Sequence, residues 1–301
     1  MIYLVGGFSW KLEFLWGYIP RIFGTRPGSP YSPVIAPVSA GGLLTIKKEF
    51  FKSLGYYAPS SGLYGSDHME LSIKAWVCHG SIYKIPCSYV GHAFYNQVNS
   101  WKHMNSEWMK RARDRIAFVW MGEYRKYYEE TFGPIFEDLD DVDAQIEIRD
   151  KYQCHNFKWY LENVYIAKYA PTNALLRGQV RNPKTNSCLV NFDSMTPCVG
   201  LHLNEKKEVV HGSAVWYLTN ENIMRNEFSC CKVIKRDNSF KLIPVGCEDQ
   251  GDRSKFFYDE NGSKQLRTAE GCLELDPVSN KASVNPCRPG NEYQMWEWKF
   301  I

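Results

Sequence analysis

Three short stretches between Pro37 and Phe94 gather residue types that could hold a nucleotide sugar. Gly41-Gly42 lets backbone come close to a ligand, because neither residue carries a Cβ. Asp67, in Tyr64-Gly65-Ser66-Asp67-His68, offers a carboxylate to sugar hydroxyls, with the His68 imidazole beside it. His92, in Gly91-His92-Ala93-Phe94, offers an imidazole to a divalent metal. Together they read as a sugar-nucleotide site. Asp67 also has a purely structural reading, as the N-cap of a helix over Met69 to Val77.

The elements that must position these residues divide at about residue 170. Ser106 to Glu130 has apolar positions at helical spacing, among them Trp108, Ile116, Val119, Trp120 and Tyr124, and reads as a helical region closed by Gly133-Pro134. The acidic run Glu137 to Asp143 has no His or Cys at ligand spacing and reads as a solvated turn. Lys168 to Asn173, with Pro171, reads as a linker. Beyond it, Cys188, Cys230 and Cys272 stand 42 and 42 residues apart, and Trp216, Phe256 and Trp296 stand 40 and 40 apart. Three copies of one unit follow from that spacing. Cys198, Cys247 and Cys287 come 10, 17 and 15 residues after the first three cysteines and could each close a small loop. Three short-stranded units around a shared core predict a β-trefoil.

With their neighbours, these residues resemble the C-terminal catalytic segment of the polypeptide N-acetylgalactosaminyltransferases. The resemblance rests on Ala40 to Leu44, Tyr64 to Glu70, Trp76 to Gly80 and Pro86 to His92. Gly6-Gly7-Phe8-Ser9-Trp10-Lys11-Leu12 joins them upstream, and Val119 to Tyr124 and Phe157 to Tyr165 downstream. It covers most of residues 1 to 167. Gln294-Met295-Trp296 resembles the Gln-x-Trp signature of ricin-type lectin domains, which the family carries after its catalytic domain. The implied fold is α/β, part of a GT-A-type glycosyltransferase domain over 1–167, then a linker over 168–174 and an all-β ricin B-type trefoil over 175–301.

The implied reaction moves N-acetylgalactosamine from UDP-GalNAc to Ser or Thr hydroxyls of proteins with retention, using Mn²⁺ on the diphosphate, where a cation stabilises developing charge. The implied location is the Golgi lumen or elsewhere in the secretory pathway. Carried over residue by residue, Asp67 and His68 are the catalytic pair, Gly41 and Gly42 hold the donor sugar, and His92 is the metal ligand. Phe8, Trp10 and Phe94 match an apolar acceptor-peptide pocket, although each is also an ordinary core aromatic by type. Glu274 stands at the lectin acid, with glycans as the ligand class, against a second reading of a folded trefoil with no working sugar site; Asp276 and Asp193 are alternatives. The family pattern also implies a Cys78 to Cys154 bridge, an unpaired Cys87 and one spare thiol among Cys230 and Cys231.

The chain departs from the family in three places. Trp-Gly-Gly-Glu-Asn is here Tyr64 to His68, so Asp67 reaches one methylene less far than Glu. Tyr95 replaces an Arg that would face the phosphate. In the trefoil, Glu274 replaces the lectin Asp, and the other two copies carry Val190 and Lys232 there. The family's N-terminal anchor and Asp-x-His motif have no counterpart, so the resemblance implies a chain that begins in mid-protein and lacks the nucleotide-binding half. A non-catalytic glycoprotein- or peptide-binding protein is the alternative.

Composition narrows the classes further. At 301 residues with 44% hydrophobic content the chain can bury two cores, and a net charge of +3 with no long basic run argues against nucleic-acid or membrane-surface partners. Ten cysteines suggest an oxidising compartment. No stretch approaches the roughly 20 apolar residues of a membrane span. Asn261-Gly262-Ser263 is an N-glycosylation acceptor triplet.

Overall fold

The computed structural model describes residues 4–18, 31–61, 66–91, 106–190, 194–197, 215–237, 239–247, 251 and 253–299. They fall into two compact units that divide between Lys168 and Tyr169.

The first unit is mainly helical. Strands β1 (Leu4–Phe8) and β2 (Phe14–Tyr18) form a hairpin in register from Leu4↔Tyr18 to Phe8↔Phe14, and β3 (Val34–Ile35) pairs with β4 (Tyr83–Lys84). The helices are α1 (Lys48–Ser53), α2 (Asp67–Val77), α3 (Ser106–Trp120), α4 (Arg125–Phe132), α5 (Val142–Lys151) and α6 (Phe157–Asn163). Helix α2 lies at the centre, with every residue from Met69 to Val77 buried. A helix buried on all sides must find partners for its polar side chains. Glu70 meets the Arg115 guanidinium at 2.8 Å and accepts from Trp120 Nε1 at 3.2 Å. Lys74 Nζ donates to the Leu54 and Tyr56 carbonyls at 3.0 and 2.9 Å and to Gln145 Oε1 at 3.2 Å. On α3, buried Asp114 accepts from Lys110 Nζ at 2.7 Å, from the Tyr128 hydroxyl and from Phe136 N at 3.0 Å. Burial still pushes its carboxyl above the usual range.

The helical region expected over 106–130 is helical, in three pieces. α3 stops at Trp120, a 3₁₀ turn covers Gly122–Tyr124, and α4 follows. Gly122 sits at φ +52°, a left-handed conformation that ends a helix and that glycine adopts without strain. Gly133, at φ +91°, closes α4 as its sequence suggests. The acidic run is more than a solvated turn. Asp138 and Asp140 reach Arg111 at 3.1 and 3.9 Å, and Asp141 accepts from Ser60 N at 2.8 Å while standing at the N-cap of α5. The Cys78–Cys154 bridge ties the end of α2 to the approach to α6, across a sequence separation of 76.

The span 168–174 is packed rather than free. Lys168 is buried, its Nζ donating to the Phe8 carbonyl at 2.8 Å, and burial drives its pKa well below that of an ordinary lysine. Tyr169 packs edge-on against Tyr217 beneath the Arg225 guanidinium, inside the second unit.

The second unit is all β. Its strands are β5 (Ala174–Asn182), β6 (Ser187–Leu189), β7 (Met195–Pro197), β8 (Trp216–Thr219), β9 (Met224–Arg225), β10 (Cys230–Arg236), β11 (Ser239–Val245), β12 (Phe257–Tyr258), β13 (Leu266–Thr268), β14 (Gly271–Asp276), β15 (Lys281–Asn285) and β16 (Glu297–Lys299). The order β12-β13-β14-β15-β11-β10-β9-β8-β5-β6-β7, with β16 closing onto β5, gives four strands to each of three repeats. The repeated aromatics Trp216, Phe256 and Trp296 are each 0% exposed and share one core with Leu189, Cys231 and Leu273, the residues that follow the repeated cysteines. Trp216 Nε1 donates to the Leu189 carbonyl and Trp296 Nε1 to the Leu273 carbonyl, both at 2.8 Å. Phe256 has no such donor. In its repeat the matching carbonyl, Cys231 O, accepts instead from Ser254 N at 3.1 Å.

Cys230–Cys247 and Cys272–Cys287 are bridged, and Cys188 is disulfide-bonded; its expected partner Cys198 lies outside the described residues. The spare thiol is Cys231, because it stands where the other repeats have a core leucine; Cys87 is free and exposed. Restoring the repeat with Phe256→Trp is expected to destabilise the trefoil by about 1–3 kcal/mol, since the extra ring enters a filled core and the carbonyl it would bond is already satisfied. Urea unfolding of both proteins measures it; a stabilised variant would show room in the core.

Candidate functional site

The structure brings Gly41, Asp67 and His68 together. One hydrogen bond sets the loop carrying Gly41-Gly42 against α2: Ser72 Oγ, which donates within the helix to the His68 carbonyl at 2.6 Å, accepts from Ser39 N at 3.0 Å. Gly41 then lies on the His68 ring so closely that a Cβ there would stand 3.1 Å from Nδ1. Gly42, at φ +90°, turns toward open space, with nothing within 4 Å of where a Cβ would be. Gly41 to Thr45 are all exposed, so the backbone at Gly42 is open to solvent.

Asp67 is the first residue of α2, and the N-cap is Ser66, so the N-cap reading of Asp67 is off by one. A carboxylate in that first turn is favoured by the positive end of the helix dipole. Asp67 Oδ1 lies 3.5 Å from His68 Nδ1, and the hydrogen bond from His68 holds the Asp67 carboxyl below the usual range. Burial and the Asp67 charge push the neighbouring Tyr57 hydroxyl up. The His68 side chain is 12% exposed, its ring edge-on to Phe14 at 5.4 Å, and its Nε2 is buried without a hydrogen-bond partner. The arrangement offers an ionised carboxylate, oriented by an imidazole, beside exposed glycine backbone. Sequence reasoning missed Ser72 and Phe14. Ser72 was within reach of it, four residues from His68 on one helix face, whereas Phe14 comes from a distant hairpin and left no local signal.

Phe8 and Trp10, expected at an acceptor pocket, lie at the end of the first hairpin. Both are 0% exposed and belong to the core. Phe8 packs with Tyr165, Tyr160 and Phe157 at 5.3, 6.2 and 6.2 Å, and Trp10 with Tyr127 at 5.0 Å, while Lys168 Nζ lies over both rings. Tyr64, His92, Phe94 and Tyr95 lie outside the described residues, as does Asp193. Among the described residues no group of three or more His, Cys, Asp or Glu could hold a metal ion.

In the trefoil, Glu274 is engaged by its own repeat. Gln294 Nε2 donates to Oε2 at 2.9 Å, and Arg288 and Asn291 Nδ2 donate to Oε1, the latter at 3.3 Å. Gln294 is itself fully used, donating to the Pro286 carbonyl at 2.9 Å and accepting from Arg288 N at 2.8 Å and Gln265 Nε2 at 3.0 Å. Asp276 caps its own turn through Val278 N and Ser279 Oγ at 2.9 and 2.6 Å. Partial burial pushes the Glu274 carboxyl up, but the donors outweigh it and the pKa is lowered. The carboxylate therefore contributes stability that is complete above the unfolded value of about 4.3 and is lost as pH falls through the lower folded value. Thermal melts from pH 6 to 3 are expected to show this acid loss, and Glu274→Gln to flatten it; an unchanged acid limb in the variant would contradict the assignment.

Residues 176–296 match the family model described as the ricin-type beta-trefoil lectin domain. Polypeptide N-acetylgalactosaminyltransferase 5 of Caenorhabditis elegans is 30% identical over 300 residues, covering 98% of this chain and 47% of that protein. Polypeptide N-acetylgalactosaminyltransferase 14 of Homo sapiens is 29% identical, covering 98% of this chain and 55% of its own length. The crystal structure of GalNAc-T7 with UDP, GalNAc and Mn²⁺ shares the fold, with a TM-score of 0.63 at 22% identity over 99% of this chain and 55% of that one. The chain spans about half the length of the curated relatives it matches. Along nearly its whole length the chain is thus similar to polypeptide N-acetylgalactosaminyltransferases, and its second half matches the ricin-type lectin domain.

Proposed function

We propose that the chain serves a polypeptide N-acetylgalactosaminyltransferase, contributing the donor-sugar end of the site and a lectin-type trefoil to transfer of GalNAc from UDP-GalNAc onto Ser or Thr hydroxyls of proteins. The observation that carries this is the assembly of Gly41, Asp67 and His68 at the start of α2, with Gly42 open beside them. Asp67 would accept from sugar hydroxyls, and its contact with His68 keeps it ionised and oriented. Transfer would depend on nucleotide-binding groups other than the described residues. A metal at His92 rests on the family resemblance alone, and no step is drawn through it. The described disulfides support a secretory-pathway location, since such bridges persist in oxidising compartments. No helix among the described residues is long and apolar enough to cross a membrane.

A second reading, a non-catalytic binder of glycoproteins or peptides, is favoured by Asp67 in place of the family's Glu and by Tyr95 in place of its Arg. The test is radiolabelled GalNAc transfer from UDP-GalNAc to a Ser/Thr-rich peptide with Mn²⁺, using the longest product of the transcript. Under the transferase reading, Asp67→Asn lowers kcat/KM by about 10²–10³, the usual effect of removing one group that stabilises a transition state. No transfer by the parent protein, with peptide or glycan binding kept, would establish the binder instead.

A further inference from the structure

We propose that the groove bounded by α3, α4 and residues 135–144 is a docking site for a polypeptide segment that presents Lys or Arg beside an apolar side chain. The groove has a volume of about 520 Å³ and lies wholly within the first unit. Its apolar lining includes Phe118, Phe136 and Leu139. Phe118 is 43% exposed on a helix whose other aromatic near its end, Trp120, is buried. An exposed phenylalanine at the base of a concavity is an anchor point for an apolar side chain.

The rim decides which partner fits. Four acids line the groove, Glu129, Glu137, Asp141 and Asp143, against one base, Arg125. Arg125 is committed to Glu129 at 3.6 Å and lies over the Phe118 ring at 5.4 Å, and Asp141 is tied to Ser60 N. Glu137 and Asp143 remain, both exposed and without an ion pair among the described residues. The local charge is thus negative on a chain whose net charge is +3. This sign repels anionic lipid surfaces and nucleic acid, and draws a basic peptide.

The groove is also built in advance. Lys110 Nζ donates to the Pro134 carbonyl at 2.7 Å, Phe136 N to Asp114 Oδ2 at 3.0 Å, and Arg111 holds Asp138 at 3.1 Å. Residues 134–138 are therefore pinned to α3, and a ligand would not have to order them on binding. This inference does not rest on the transferase reading.

The test is fluorescence anisotropy with the full chain and three fluorescein-labelled 12-residue peptides: one alternating Lys with Leu and Phe, one with Glu in place of Lys, and one with Ser in place of Leu and Phe. Saturable binding of the first alone is expected, weakening as NaCl rises because exposed charges are screened. Glu137→Lys with Asp143→Asn is expected to weaken it at least about tenfold. Should the double variant misfold by circular dichroism, Glu137→Gln alone, at an exposed loop position, is expected to give about a threefold loss. No saturable binding below about 1 mM, equal binding of the acidic or Ser-substituted peptide, or affinity unchanged in folded variants would overturn the proposal.

Discussion

Glu70→Ala is expected to destabilise the first unit by about 3–5 kcal/mol, the usual consequence of removing one partner from a buried ion pair. The Glu70 and Arg115 side chains are 1% and 2% exposed, so the guanidinium left behind has no water to solvate it. It would keep only the hydroxyls of Ser60 and Ser61, while Trp120 Nε1 would lose its acceptor. Replacing both members of the pair, Glu70→Leu with Arg115→Met, is expected to recover most of the loss, because the desolvated charge goes as well. Urea unfolding of the two single variants and the double variant completes the cycle. A loss under about 1 kcal/mol for Glu70→Ala would mean that water reaches Arg115.

The second large effect belongs to the Cys78–Cys154 bridge. Its sequence separation is 76, against 17 and 15 for the two described trefoil bridges. Closing a loop that long removes more disorder from the unfolded chain, about 4–5 kcal/mol against about 3 kcal/mol for the short ones in the chain-entropy account. Cys78→Ala with Cys154→Ala is therefore expected to lower the denaturation midpoint of the helical unit more than Cys272→Ala with Cys287→Ala lowers that of the trefoil. Either figure is a large part of a typical domain's stability. Tryptophan fluorescence in urea, read beside far-UV circular dichroism, compares them. The reverse order would show that the unfolded helical segment already holds its cysteines close.

How far the molecule is legible in its sequence depends on the range of the contacts. The trefoil repeats the same chemistry three times, so the intervals of Cys188, Cys230 and Cys272 with Trp216, Phe256 and Trp296 are enough to place it. Choosing the spare thiol between Cys230 and Cys231 needs the strand register, which puts one side chain toward Cys247 and the next into the core. The helical character of 106–130 is legible in its apolar spacing, and Gly122, at φ +52°, marks where it breaks after Trp120. Phe8 and Trp10 show a limit of composition: an aromatic that lines a pocket and one that fills a core have the same residue type and spacing. The sequence gives no sign of the Tyr127, Tyr160 and Lys168 side chains that the fold packs around them. At the candidate site, Asp67, His68 and Gly41 were legible as types, and Phe14, more than fifty residues away in sequence, was not.

Cys231 matters before the trefoil exists. In the finished fold its thiol is sealed in the core and burial drives its pKa well up, so almost no thiolate is present to attack the bond between Cys230 and Cys247. In a newly made chain no such protection applies, and Cys231 competes for Cys247 with a neighbour one residue away, closing a loop of nearly the same length. Loop entropy hardly separates the two products. What separates them is the pleat: successive residues of β10 face opposite ways, and the wrong linkage would drag Cys231 out of the core and leave a hole beside Trp216 and Phe256. Correct oxidation of this repeat thus depends on the strand having formed first, or on an isomerase that reopens early errors. A serine at position 231 would remove the competition but place a hydroxyl in the core; alanine would remove it for only the loss of packing volume.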